Sequence, residues 1–206
     1  MPKINKKSIY LEPTDPIEIL EVINQLKDKA GGIDHIHSCV IKKLGIHVAK
    51  PLTHIINLCI EQGIFPDHLK LAEIVPVYKK GDKSIETNYR PISLISNFAK
   101  ILEKIIHKRL IKFLDKHQIL SQMQFGFRKN IGTNFSLAYI TEFLHEKLDK
   151  SRPTIAVFLD LAKAFDTVNH ELLLKKIENY GIRGVAYSLA KNYLSNRKET
   201  VKINGK

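Results

Sequence analysis

The run Ile155-Ala156-Val157-Phe158-Leu159-Asp160-Leu161-Ala162-Lys163-Ala164-Phe165-Asp166 sets one carboxylate at the end of an apolar, β-rich stretch and a second six residues later. A nearly all-apolar strand is usually covered on both faces, so an aspartate at its exit needs a partner or a task. Were the strand to continue, Asp160 and Asp166 would face the same way about 20 Å apart. A turn would bring them closer but aim them differently. Two-metal phosphoryl transfer requires carboxylates that converge on ions about 4 Å apart, so Asp160 wants a partner from another strand. Glu171, Glu178 and Glu199 do not supply it, because the first two fall in helical patterns and the third opens an edge-like strand. On spacing alone, a capping or ion-paired structural aspartate is the commoner explanation.

Positive charge is the second chemical feature. The 206 residues carry a formal charge of +12, and a surplus of Lys and Arg attracts polyanions. Between Lys79 and Lys129 there are twelve Lys or Arg against four Asp or Glu. That distribution fits a nucleic-acid surface, and it equally fits a solvated face. Cys39 and Cys59 lie in apolar helical patterns with no Cys or His nearby at zinc-ligand spacing, and read as reduced core thiols. No run approaches the roughly 18 apolar residues of a membrane span, and the N-terminus lacks a signal-peptide core. The expectation is an intracellular protein, cytoplasmic or nuclear, with no membrane partner.

Several elements must position these residues. Asp15, Pro16 and Glu18 mark a helix start, with Ile19, Ile23 and Leu26 as its stripe and Gly31-Gly32 as its end. A second helix runs from about Ile46 to Gln62, closed by Gly63 and Pro66. Ala72 to Tyr78 reads as a strand, and Lys79-Lys80-Gly81-Asp82-Lys83 as a tight turn, together a hairpin tipped with lysines. From Phe98 to Leu114 apolar residues recur at helical spacing, with Lys100, Lys104, Lys108 and Lys112 in a row on the other face. Another helix opens at Thr133 and packs through Leu137, Ile140, Leu144 and Leu148, before the strand Thr154 to Leu161. Helices near 172–179 and 184–194 and a strand near 200–203 complete the pattern.

Phe158 to His170 resembles the first palm motif of non-LTR reverse transcriptases, F-x-D-L-S-K-A-F-D followed by T-V-x-H. Val75-Pro76-Val77-Tyr78-Lys79-Lys80-Gly81-Asp82 and Asn88-Tyr89-Arg90-Pro91-Ile92-Ser93-Leu94 resemble that family's fingers hairpin and its R-P-I-S-L segment, followed by Lys100-Ile101-Leu102-Glu103-Lys104. Gln124-Phe125-Gly126-Phe127-Arg128 with Thr133 is similar to its Q-x-G-F-R…T element, and Gly32-Ile33-Asp34-His35-Ile36 to its G-x-D-x-I element. Five matches in family order leave chance no serious role. Ala162 stands where serine is common, and His35 where many relatives have glycine.

The resemblance implies an RNA-directed DNA polymerase working on an RNA template, a DNA primer and deoxynucleoside triphosphates. Asp160, with the carbonyl of Leu161, would bind Mg2+, two ions in the complete site. Phe165 would be the steric gate against a ribose 2′-hydroxyl. Lys79 or Lys80 and Arg90 would hold the triphosphate. Gln124, Arg128, Lys100 and Lys104 would face template or duplex, while Asp166 would brace the turn after the strand. The implied fold is α+β: a helix-rich fingers region over residues 1–150 and the opening of a palm over 151–206, its antiparallel sheet incomplete. Relatives carry later palm strands with a double aspartate, so the expectation is that this chain alone polymerises nothing and that Ile155 to Leu161 lies uncovered. The alternative is a non-catalytic nucleic-acid-binding remnant of a truncated retrotransposon.

Overall fold

In a computed structural model of the chain, described over residues 5–28 and 31–201, the Asp15 carboxylate caps the first helix by accepting the N–H groups of Ile17 and Glu18. This helix, α1 (Pro16–Asn24), buries Ile19, Val22 and Ile23. It ends at Asn24, well before the glycine pair that the sequence suggested as its stop. Gly32 serves a close approach instead: a Cβ there would stand 2.6 Å from the backbone of Ile95 and Ser96. His35 has φ 52. That left-handed conformation suits glycine better than a residue with a side chain.

The second helix, α2 (Ser38–Gln62), starts eight residues before the expected Ile46. Val40, Leu44 and Ile46 point to solvent, so the apolar period is blurred over its first turns. Gly63 ends it with φ 67 and an N–H donated to Cys59. Cys59 is buried but Cys39 is exposed, so only one of the two thiols belongs to the core. Along the chain follow β1 (Leu71–Tyr78), β2 (Tyr89–Ile95), α3 (Asn97–Lys116), α4 (Thr133–Asp149), α5 (His170–Asn179), α6 (Val185–Leu194) and β3 (Lys198–Val201), with short 3-10 turns at Asp67–Lys70 and Glu86–Asn88.

Two compact units result, Met1–Phe113 with His170–Lys206, and Leu114–Asn169. The first contains the sheet, in the order β2-β1-β3. β1 and β2 pair antiparallel from Ala72↔Ile95 to Tyr78↔Tyr89, whereas β3 joins β1 in parallel, from Leu71↔Lys198 to Ile74↔Val201. The sheet is therefore mixed, a correction to the antiparallel expectation. Its parallel edge comes from a strand more than 100 residues away, which no local pattern announces. Pro76 faces Pro91 where β1 has a neighbour on one side only, the kind of place where a missing N–H is tolerated.

Ile19, Ile23, Phe65, Ile101, Leu102, Ile105 and Leu189 are completely or almost completely buried and form the core of this unit. Its N-terminal segment crosses to the far end of the sequence. The N–H of Asn5 donates to Asn179 at 2.8 Å and that of Ile9 to Gly181 at 2.9 Å. The Arg183 guanidinium returns a bond to the Asn5 carbonyl.

The second unit is built differently. α4 buries none of its residues, and Leu137, Ile140 and Leu148 are exposed. The run Thr154 to Leu161 forms no strand. Ile155 and Leu159 are each 91% exposed. A single strand without a ladder leaves its backbone groups to water and gains nothing from its apolar side chains.

Candidate functional site

The connection between β1 and β2 spans residues 79–88, longer than the tight turn read from Gly81-Asp82. It is nevertheless ordered by its own bonds. Lys79 donates its N–H to the Asn88 carbonyl at 2.8 Å, and the Asn88 side-chain amide donates to the Asp82 carbonyl at 2.8 Å. Asp82 accepts from both the N–H and the hydroxyl of Ser84, and these bonds hold its carboxyl below the usual range. Gly81 takes φ 98. The Tyr78 and Tyr89 rings meet edge to face at 5.6 Å, with the Lys83 ammonium 5.7 Å from the Tyr78 centroid. The loop thus presents Lys79 and Lys80 to solvent on a braced hairpin, and Arg90, opposite Val77 in register, stands exposed at its base. Three cations that the sequence assigned to one task share one element.

The lysine row of α3 meets the protein itself. Lys108 pairs with Glu18 at 2.7 Å and Lys112 with Glu12 at 2.9 Å. Lys104 donates to the Gln25 carbonyl at 3.2 Å and Lys100 to the Asn97 side chain at 3.0 Å. Burial, and after it the neighbouring Lys27 and Lys42, lowers the Lys104 pKa. Lys100 and Lys104 border a groove of about 700 Å³ whose floor includes Leu26, Ile106, Leu110 and Leu189. Any contact these two make with nucleic acid would compete with bonds they already hold.

In the second unit, Gln124 and Arg128 are placed by a loop that folds back on itself. Gln124 reaches the Gly126 carbonyl at 3.5 Å and Arg128 the Ser121 carbonyl at 3.4 Å. The Phe127 and Phe165 rings stand edge to face with centroids 6.1 Å apart, so the Gln124–Arg128 element touches the residue singled out as a gate. Neither ring's partner was evident in the sequence, where the two are 38 positions apart. Lys163 takes φ 51, and its carbonyl accepts the N–H of Asp166 at 2.9 Å. Asp166 thus closes the turn after Asp160 through its backbone.

Asp160 has no hydrogen-bond or ion-pair partner among the described residues. That removes the capping and ion-paired explanations that spacing alone favoured. Its carboxylate and the Leu161 carbonyl are oxygen donors of the kind a hard divalent cation takes. Two such donors are fewer than a coordination shell takes: among the described residues, side chains gather three potential ligands at Asp28, His37 and Cys39, and not at Asp160. That trio, and the ion pair of Glu18 with Arg109, were missed in the sequence; a His-x-Cys step at 37–39 was the available signal for the first.

Comparison with known proteins adds to this geometry. Residues 77–206 match the family model "Reverse transcriptase (RNA-dependent DNA polymerase)". A probable RNA-directed DNA polymerase from transposon BS of Drosophila melanogaster is 32% identical over 197 residues, covering 93% of this chain and 22% of the relative. The RNA-directed DNA polymerase from mobile element jockey of Drosophila funebris is 31% identical over 198 residues, 94% of this chain and 22% of the relative. The Pol polyprotein from retrotransposable element R2 of Popillia japonica is 24% identical over 148 residues, with 72% and 20% covered. The chain thus spans about a fifth of the length of these curated relatives. Among the described residues, no helix is long and apolar enough to cross a membrane.

Proposed function

The chain belongs to the reverse transcriptase family in its non-LTR retrotransposon branch, and on that premise we propose that it forms the fingers and the first palm segment of an RNA-directed DNA polymerase. The observation that carries this reading is that one family match, residues 77–206, takes in both the braced cationic hairpin and the unpartnered Asp160. Residues 1–150 would act as fingers and 151–206 as palm. Lys79, Lys80 and Arg90 would bind the triphosphate of an incoming deoxynucleotide through charge-assisted hydrogen bonds. Phe165, steadied by Phe127, would lie under the sugar and exclude a 2′-hydroxyl. Gln124, Arg128, Lys100 and Lys104 would contact the RNA template and DNA primer, which sets the protein to work where those polymers are found, in cytoplasm or nucleus.

Asp160 and the Leu161 carbonyl would hold Mg2+, which in such enzymes stabilises charge on the transferring phosphoryl group. Among the described residues no group of three potential ligands gathers at Asp160, and the chain alone is expected to extend no primer. The test is magnesium-dependent primer extension on an RNA template by this chain and by a chimera in which it replaces the matching segment of the jockey polymerase. The chimera should incorporate deoxynucleotides, and Asp160→Asn in it should reduce the rate by about 100-fold or more. A chimera that binds template and primer yet stays inactive would support the non-catalytic binding reading instead. Activity untouched by Asp160→Asn would remove Asp160 from the chemistry.

A further inference from the structure

At the start of α2, remote in sequence from the hairpin and from Asp160, three side chains of metal-binding type converge. The connection after α1 brings Asp28 to the helix start, His37 is the residue before its first turn, and Cys39 lies within that turn. One potential ligand atom from each lies within 4.8 Å of the other two, and His37 Nδ1 stands 3.7 Å from Asp28 Oδ1. Ligands around a tetrahedral zinc ion, with bonds of about 2.0–2.3 Å, stand about 3.3–3.7 Å apart, so small side-chain rotations close the set. The carboxylate is already aimed: Ser38, itself fully buried, donates its hydroxyl to Asp28 Oδ1 at 3.2 Å. Such an outer hydrogen bond orients a ligand before the metal arrives. His37 makes no side-chain capping bond to the helix, which leaves its imidazole for another use.

We propose that Asp28, His37 and Cys39 form a binding site for a zinc ion or a similar borderline-soft divalent cation, with water in the fourth position. Thiolate and imidazole select zinc over magnesium, whose preferred ligands are all oxygen. The site is therefore chemically distinct from the Asp160 region. Binding displaces the Cys39 proton to solvent and ties Asp28 to the first turn of α2. The connection between α1 and α2, which carries Gly32 against Ile95 and Ser96, would be fastened at both ends.

The test uses the whole chain freed of metal by chelator, with folding followed by circular dichroism. It is expected to retain one equivalent of zinc, and with cobalt(II) to show a thiolate-to-metal charge-transfer band and strong visible bands of four-coordinate geometry. Ser38→Ala should weaken zinc by about tenfold, and Cys39→Ser or His37→Ala by about 100-fold or more. Cys39→Ser should also abolish the charge-transfer band, while Cys59→Ser leaves it intact. A folded chain that retains no zinc, or a charge-transfer band that survives Cys39→Ser, overturns the proposal.

Discussion

Arg109 occupies a position on α3 where the spacing of Ile101, Leu102, Ile105 and Phe113 calls for an apolar residue. Its guanidinium is almost fully buried, and every part of its fork is used. Nε donates to the Glu12 carbonyl at 3.0 Å and Nη2 to the Pro13 carbonyl at 3.0 Å, while Nη1 and Nη2 each reach a Glu18 oxygen at 2.6 Å. Lys108 and Thr14 add bonds to the same carboxylate. Above all the Arg109 hydrogen bonds, against an opposing cost of burial, hold the Glu18 pKa down to about 2. A carboxyl lowered in the folded state stabilises the fold fully above its usual value near 4.5 and loses that contribution as pH falls toward 2. The effect amounts to about 3 kcal/mol. In urea titrations, Glu18→Gln should be less stable than the parent near neutrality, with the gap closing between about pH 4.5 and pH 2; a gap independent of pH would refute this account. An arginine on a core stripe was a visible signal in the sequence, but its partner on α1, 91 positions away, was not. The residues singled out by the resemblance show the same limit. Asp160, Phe165 and the hairpin lysines are named by a motif in the sequence, whereas the contact of Phe127 with Phe165 is visible only in three dimensions.

Helices were read best where their ends carry their own chemistry. Asp15 before Pro16 and Gly63 after Gln62 are local signals, and both mark the ends they promised. They differ in what surrounds them. Asp15 is exposed and its caps are replaceable by water, so Asp15→Ala should cost about 1 kcal/mol. Gly63 has φ 67, and a Cβ there would lie 2.9 Å from the Val185 carbonyl and 3.1 Å from Ser188. Gly63→Ala should therefore cost more, about 2–3 kcal/mol, from backbone conformation plus the displaced start of α6. Chemical denaturation of the two variants in parallel checks the order, and equal losses would mean that α6 yields freely. Strands were harder. The antiparallel partner of β1 follows it directly and was foreseen, while β3, legible as a strand near 200–203, carried no local signal of its parallel pairing with β1. Thr154 to Leu161 has strand composition, but composition supplies no ladder, and without paired neighbours the run remains uncovered.

For the molecule as a whole, the resemblance implied an α+β protein, and a small mixed sheet together with six helices among the described residues agrees with that class. The sequence did not disclose that the first unit is discontinuous, with residues 114–169 inserted between its two parts. The difference in burial between the units makes a prediction. Phe158 and Phe165 are about four-fifths exposed, whereas Phe65 and Phe113 are buried. Limited chymotrypsin digestion should cut first at Phe158 or Phe165 and leave the first unit intact until later; early cleavage at Phe65 or Phe113 would count against this ranking. The bonds from Asn5 and Ile9 to Asn179 and Gly181 carry a further consequence for biosynthesis. A ribosome releases the N-terminal segment first, yet its partners come some 170 residues afterwards. The roughly 70 residues from the end of the first unit's leading part to Arg183 take about 4–14 s to translate at about 5–20 residues per second. Throughout that interval β1 lacks β3, and the segment around Ile9 has nothing to clasp. The timetable of translation, more than the strength of any single contact, decides when the first unit can close.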